Sequence, residues 1–410
     1  MERAAFLRQF LEDLRTQRLR TALTVFGITW GTVAVVVLLA FGVGLQRQMQ
    51  INARGIGERI VIVFGGRTTK SFQGFPKGRE IELREEDVAL LVRQVPGIER
   101  ISPEYSSRSR PIRRGTASSN ANVTGVYPAF AEMRNVFPEP GGRFLDELDE
   151  AGRRRVAFLG DELKTLLFAD QDAVGQQVLI GDVPFTVIGV MRKKTQNSSY
   201  NGRDKDRVFI PASTFRAIYG TTGLNDIVYQ PADPMLSKAT ARSVYQVLGR
   251  KHKFDAADED ALRVWDTNET MQFFKYLFTG FNVFLGVVGS FTLLVGGIGV
   301  ANIMYIVVRE RTREIGIKRS LGARRRDIMA MFFGETFLLV GAGASLGMAI
   351  SLALVKIGGM LPLQDSVGVP VLSPLVLTAT VVLLGAIAFL AGVFPARKAA
   401  HLDPVDCLRQ

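Results

Sequence analysis

Four long apolar runs divide the chain. Thr21–Leu45 carries no charge, and ~20 helical residues are enough to cross the hydrocarbon core of a bilayer. Phe281–Val308 is a second uncharged run, Phe332–Val355 a third interrupted only by Glu335, and Val371–Phe394 a fourth. The first exceeds the ~7–15-residue apolar core of a cleaved signal, so it reads as a retained anchor. Before the second run, helical patterning begins near Thr267, with Asp266 or Thr267 as the cap. From there to Val308 a helix would measure roughly 60 Å, about twice the ~30 Å core. The excess predicts a stalk.

Between the first two runs the pattern shortens and changes period. Arg59–Gly65, Asn120–Val126, Arg155–Gly160, Gln177–Ile180, Pro184–Met191, Arg207–Pro211 and Leu262–Trp265 read as strands. ERISPEY, from Glu99, reads as another extended segment. Arg84–Val95 reads as a helix with acids in its first turn, stopped by Pro96 and Gly97. Asp161–Phe168 and Met235–Leu248 read as two more. Lys193–Asp206 is polar and reads as a mobile loop. The fold class expected is a membrane protein: four transmembrane helices plus a large α/β extracytoplasmic domain inserted between helices 1 and 2.

The segments expected are an amphipathic helix at 1–20 and helix 1 at 21–45. The outer domain follows at 46–275, in two subdomains, the second at about 142–223. Then come a stalk end and helix 2 at 276–308, a basic loop at 309–331, helix 3 at 332–355, a short outer loop at 356–370, helix 4 at 371–394 and a tail at 395–410. The opening segment also suits a simple cytosolic extension packed on its own protein. No internal repeat is visible, which argues against a transporter built from inverted halves.

Charge supplies the orientation. The 410 residues carry a net charge of +12 with a mean hydropathy of +0.16. A nucleic-acid binder would also be basic, but here Lys and Arg flank the apolar runs instead of forming a stripe on one domain. Arg3, Arg8, Arg15, Arg18 and Arg20 precede the first run. Eight Lys and Arg residues, from Arg309 to Arg326, lie between the second and third, while only Lys356 lies between the third and fourth. Basic loops stay in the cytosol. Both termini and the segment 309–331 are therefore expected there, with the large domain outside.

That basic segment, VVRERTREIGIKRSLGARRRDI from Val307, carries more order than topology demands. Gly322 follows Lys318 and Arg319 as a helix C′ residue should. Gly316 is expected to break the second span's continuity, leaving a short helix over Ile315–Leu321. Ile315, Ile317 and Leu321 would be its apolar contacts for a groove on a cytosolic partner. Within the runs, Gly286 and Ser290, Gly297 and Ala301, and Gly343 and Gly347 have the spacing of close helix contacts, though glycine is also common in membrane helices. Glu335 is expected to reach water or to pair with Arg325 or Arg326. A proton relay would need further acids, which the other runs lack.

Catalytic readings find little support. His252 and His401 are the only histidines. His252, between Lys251 and Lys253, reads as a solvated surface residue, and no His, Cys and carboxylate cluster has metal-ligand spacing. Cys407, the sole cysteine, reads as an inert small residue, and its sequence context is a poor prenylation signal. The basic stretch Arg108–Gly115 reads as a solvated edge or an adaptor contact.

Leu293–Leu339, Phe394–Arg409 and Leu19–Gly31 together resemble the FtsX-like permease domain of MacB-type ABC transporters. GVYPAF from Gly125, GGRFLDELDE from Gly141, RRVAFLG from Arg154, PFTVIGVM and RVFIP resemble the MacB-type periplasmic core domain. Trp30 and Cys407 are small departures. The resemblance implies a coupling helix seated on an ATPase subunit, formed by Arg313, Glu314, Ile315, Gly316, Ile317, Lys318, Arg319, Leu321, Gly322 and Ala323. It also implies a structural pairing role for Glu335, a dimer with a second permease (a homodimer expected, a heterodimer left open), and motion carried across the membrane by stalks. No Gly-x-x-x-x-Gly-Lys-Ser/Thr motif occurs. ATP and Mg are thus expected on a partner ATPase chain, with no cofactor or metal on this one and no catalysis. Efflux with a periplasmic membrane-fusion adaptor and an outer-membrane channel is one expectation. A regulator acting on an extracytoplasmic hydrolase or sensing a peptide, or a lipoprotein-extraction permease, is the alternative.

Overall fold

The computed structural model describes residues 18–57, 59–196, 199–360, 368–403 and 407. The expected N-terminal helix up to residue 17, part of the outer loop and most of the tail lie outside them. The chain divides into two compact units, residues 49–274 and residues 1–48 with 275–410. In chain order the elements begin with helix α1 (Arg18–Ile56) and strand β1 (Val61–Gly65), followed by α2 (Glu85–Gln94) and β2 (Ile98–Ser107). Then come β3 (Ile112–Arg114), β4 (Ala117–Ser119), β5 (Asn122–Val126), α3 (Phe130–Arg134), α4 (Glu147–Ala151), β6 (Val156–Leu159) and α5 (Asp161–Phe168). β7 (Gln177–Ile180), β8 (Val183–Val190), β9 (Arg207–Pro211), α6 (Ala212–Tyr219), β10 (Asp226–Pro231), α7 (Ser237–His252) and β11 (Leu262–Asp266) complete the middle of the chain. The last helices are α8 (Thr267–Glu310), α9 (Thr312–Ser320), α10 (Arg325–Gly358) and α11 (Pro374–Ala400).

Among the described residues four helices are long and apolar enough to cross a membrane: Thr21–Asn52 within α1, then α8, α10 and α11. Glycine lets them approach. A Cβ at Gly347 would lie 2.7 Å from Thr32, and one at Gly343 would lie 3.0 Å from Ile28. Thr29 Oγ1 donates across this contact to the Gly343 carbonyl at 3.1 Å. Other hydroxyls bond back to carbonyls four residues earlier, as Thr32, Thr336, Ser351 and Thr380 do, so these groups need not face lipid unpaired.

The other unit is built on one sheet of order β11-β1-β10-β2-β5-β9-β6-β8-β7-β3-β4. The β5–β9 and β6–β8 pairs are parallel and the rest antiparallel. The unbroken apolar run of β1 has its reason here: Val61 and Val63 enter one core and Ile62 another, so both faces are covered. β3, β4, β10, α3, α4 and α6 were not anticipated, being short or, for β10, interrupted by polar residues. At the start of α8, the cap is Asp266, whose Oδ1 accepts from Asn268 N at 2.7 Å.

Three expectations fail in this unit. His252 is not a solvated surface residue: its Nε2 lies 3.0 Å from buried Asp87, which Lys251 also meets at 2.7 Å. The basic stretch from Arg108 is not a simple solvated edge. Arg110 donates to the Ile218 carbonyl, Arg113 to Gly181 and Asp182, and Arg114 lies over the Phe168 ring at 4.1 Å. Within Lys193–Asp206, Lys194, Gln196, Tyr200, Asn201 and Asp204 are pinned in place. Their polar groups serve a buried network, which composition could not distinguish from solvation.

Candidate functional site: the short helix between α8 and α10

α9 begins at Thr312, three residues before the expected Ile315. The helical run breaks at Arg311, where Thr312 Oγ1 donates to the carbonyls of Val308 and Arg309 and occupies the end of α8. The expected break at Gly316 is therefore corrected. Gly316 is buried in mid-helix, where glycine costs ~1 kcal/mol against alanine without ending the helix.

The other end forms as expected, and its bonds show why. Gly322 has φ +97°, the left-handed conformation in which a side chain is costly. Gly322 N donates to the Arg319 carbonyl at 3.1 Å and Ala323 N to the Lys318 carbonyl at 3.0 Å. This pair of bonds is the Schellman termination, and it satisfies carbonyls that the helix leaves open. Lys318 Nζ also meets Glu314 Oε1 at 2.7 Å. Arg324 N then donates to Asp327 Oδ2 at 3.0 Å, opening α10.

The site residues separate by face. Ile315 is fully buried against the membrane-helix core, and Ala323 packs at its edge. Arg319 donates through Nη1 to the Leu402 carbonyl, tying α9 to the chain after α11. Arg313, Ile317, Ser320, Leu321, Gly322 and Arg324 are exposed, with Ile317 at 45% and Leu321 at 82%. Spacings of three and four bring Arg313, Ile317 and Ser320–Leu321 to one face. α9 is thus anchored by one side and offers apolar atoms rimmed by cations on the other.

Glu335 does not pair with Arg325 or Arg326. Its Oε1 meets Arg311 Nη1 at 2.8 Å, with the two side chains 6% and 11% exposed. Arg326 is nine residues away along the same helix, ~14 Å at 1.5 Å per residue, and points to Asp327 instead. This ion pair fastens the α8–α9 break to α10, and a sequence signal for it is absent.

Of the expected packing residues, Gly343 and Gly347 meet α1, Gly297 meets Ile387 of α11, and Ala301 packs on the core. Gly286 does not serve packing within the chain: nothing lies within 4 Å of where its Cβ would be. Ser290 only donates back to the Gly286 carbonyl. Contacts that spacing missed include Gly31 on Leu293 and Gly289 on Val35.

In the sheet-bearing unit, both long helices end on named contacts. Thr267 N and Oγ1 donate to the Ile60 carbonyl at 3.0 and 2.8 Å, so the start of α8 is tied to the residue preceding β1. The last turn of α1 lies against Thr195, whose carbonyl would be 2.2 Å from a Cβ at Gly55. Behind Thr195, Lys194 Nζ donates to Asp204 and to the Arg134 carbonyl, each at 2.7 Å. Arg134 meets Asp204 at 2.9 Å with both side chains fully buried. Burial alone would raise the Asp204 carboxyl, but Arg134, Lys194 and Arg207 outweigh it and hold the carboxyl far below the usual range. Burial pulls Lys194 down to about 8, against the pull of Asp204. Beside them Glu104 accepts from Arg207, Tyr200 and Asn201. Among the described residues Asp226 accepts from Asn201 alone, and burial with Glu104 pushes its carboxyl well up.

Residues 21–247 match the MacB-like periplasmic core domain, and residues 286–404 match the FtsX-like permease C-terminal region. The chain is 28% identical to the macrolide export ATP-binding/permease protein MacB of Bdellovibrio bacteriovorus, over 98% of this chain and 61% of that protein. It is 34% identical to the pyoverdine export ATP-binding/permease protein PvdT of Pseudomonas entomophila, over 95% of this chain and 57% of that one. The chain thus spans about three fifths of the length of the curated relatives it matches. It is also similar to the crystal structure of the periplasmic region of MacB from Actinobacillus actinomycetemcomitans, at 24% identity and a TM-score of 0.44, covering 55% of this chain and 96% of that one. The α/β region between the first two membrane helices is the periplasmic core domain, and the chain belongs to the family of MacB-type ABC exporter permeases.

Proposed function

We propose that α9 is the coupling helix of this permease, seating its exposed face on an ABC ATPase that binds ATP and Mg. In this reading both termini and α9 face the cytosol, and two copies of the chain work together. Closure of the ATPases displaces α9. The Arg311–Glu335 and Arg319–Leu402 ties carry the displacement into α8, α10 and α11. α1 and α8 carry it outward to the Ile60–Thr267 and Gly55–Thr195 contacts of the periplasmic domain. That domain then moves an export substrate toward a membrane-fusion adaptor and an outer-membrane channel. The likeness to macrolide and pyoverdine export proteins favours export over the regulatory or lipoprotein-extracting alternatives.

The observation that carries this reading is a rigidly terminated short helix with Ile317 and Leu321 left in the open. A buried apolar contact of that size is worth ~1.5–3 kcal/mol per side chain. The test is ATP hydrolysis by the reconstituted permease–ATPase complex. Ile317→Asp, Arg313→Glu and Gly322→Pro should each lower permease-stimulated turnover by on the order of tenfold or more while membrane insertion stays normal. Undiminished stimulation in all three would end the assignment of α9.

A further inference from the structure

Between β2, β5 and β9 the periplasmic domain holds a cleft of about 520 Å³ whose lining includes Arg108, Ser119, Asn122, Arg203, Asp206 and Arg207. Sheet register gathers them. Asn122 lies opposite Arg207 in the parallel β5–β9 pair, and Ser107, just before Arg108, lies opposite Val123. Gly202 has φ +102°, and a Cβ there would sit 3.1 Å from Arg108 Nη2 and 3.9 Å from Arg207 Nε. Two guanidinium groups therefore flank one glycine.

Their partners are unevenly supplied. Arg207, with its side chain 1% exposed, uses Nη1 on Glu104 and Nη2 on the Gly202 carbonyl. Its Nε is buried without an acceptor, the Asp204 carboxylate standing 3.8 Å off. Arg108 and Arg203 have no ion pair or side-chain hydrogen bond among the described residues, and both are exposed. Asp206 is the one carboxylate lining the cleft. With Arg207 balanced by Glu104, the two free arginines against Asp206 leave a local charge of +1. A buried N–H without an acceptor is costly, and guanidinium forks match the oxygens of phosphate.

We propose that this cleft binds a phosphate ester, its phosphate lying between Arg108 and Arg203, and its hydroxyl-bearing remainder on Asp206, Ser119 and Asn122. The volume calls for more than a bare ion, since small-ligand sites run ~300–1,000 Å³. The chemistry is shared by a soluble sugar phosphate and by a phospholipid headgroup. Neither the binding nor its test depends on the role of α9.

The experiment is isothermal titration of the full-length chain in detergent with glucose 1-phosphate, inorganic phosphate, a short-chain phosphatidylglycerol and, as control, glucose. One phosphate ester should bind saturably and more tightly than inorganic phosphate, and glucose should not bind. A preference for glucose 1-phosphate identifies a soluble source, and a preference for phosphatidylglycerol a lipid one. In the R108Q/R203Q variant the affinity should fall by on the order of tenfold or more. Both side chains are exposed, so the variant keeps its core, and an unchanged unfolding midpoint verifies this. Saturable binding by neither ester, or equal affinity in the R108Q/R203Q variant, overturns the proposal.

Discussion

Arg311→Leu isolates the ion pair that fastens the α8–α9 break to α10. Arg311 Nη1 and Glu335 Oε1 are 2.8 Å apart and nearly closed to solvent. Charge centres ~4 Å apart attract by about 4 kcal/mol at an effective dielectric of ~20. Removing both ions from water costs several kcal/mol each, so the intact pair adds little net stability. Removing one partner is different, because it strands the other charge, a loss of ~3–5 kcal/mol. Arg311→Leu should therefore lower the unfolding free energy of the detergent-solubilised chain by about that amount, read from denaturant titration. Adding Glu335→Leu should return at least half of the loss. Recovery is incomplete because Arg311 has further interactions. The double variant should regain its fold but not ATPase stimulation, since the tie from α9 to α10 is gone. A single-variant loss under ~1 kcal/mol, or a double variant no better than the single, would refute this account of the pair.

Two further outcomes concern the periplasmic domain. Gly55→Val places its Cβ against the Thr195 carbonyl and should cost ~1–3 kcal/mol, with faster amide exchange over 192–196. Gly280→Val, where nothing lies within 4 Å of the added Cβ, should change neither, and equal effects at both sites would contradict the docking of α1 on Thr195. Asp226→Asn tests the buried network through pH. Burial and Glu104 raise the folded carboxyl of Asp226 above its unfolded value of ~3.9. Over the window between the two values the folded state holds a proton that the unfolded state has lost, so the wild type loses stability as pH rises. Asparagine does not titrate. The variant's advantage in unfolding midpoint should widen from about pH 4 upward, and a constant or narrowing gap would show that Asp226 is ionised in the fold.

What could be read from the sequence divides according to how local its cause is. The four membrane helices follow from length and apolarity alone. The end of α9 follows from one residue, because Gly322 suits a conformation that side chains resist. Asp161–Phe168, Gln177–Ile180 and Arg207–Pro211 were legible to the residue, each bounded by its own turn or cap signal. The start of α9 was not, because a threonine hydroxyl decides it and a glycine was the more conspicuous breaker. The partner of Glu335 was not legible either. It lies 24 residues back on the other side of α9, and only the fold brings it near.

The periplasmic domain shows the same limit more sharply. Lys194, Tyr200, Asn201 and Asp204 look like loop composition, and composition cannot say which side of a sheet they will face. Folding turns them inward, where Arg134, Arg207 and Glu104 from three other elements complete the network. A loop that could have been expendable becomes the part of the domain against which α1 ends. The end of α1 therefore rests on a segment held by buried ion pairs, whose separation costs several kcal/mol. The anchoring of this segment thus comes from polar residues and not from the apolar runs that first mark the chain as a membrane protein.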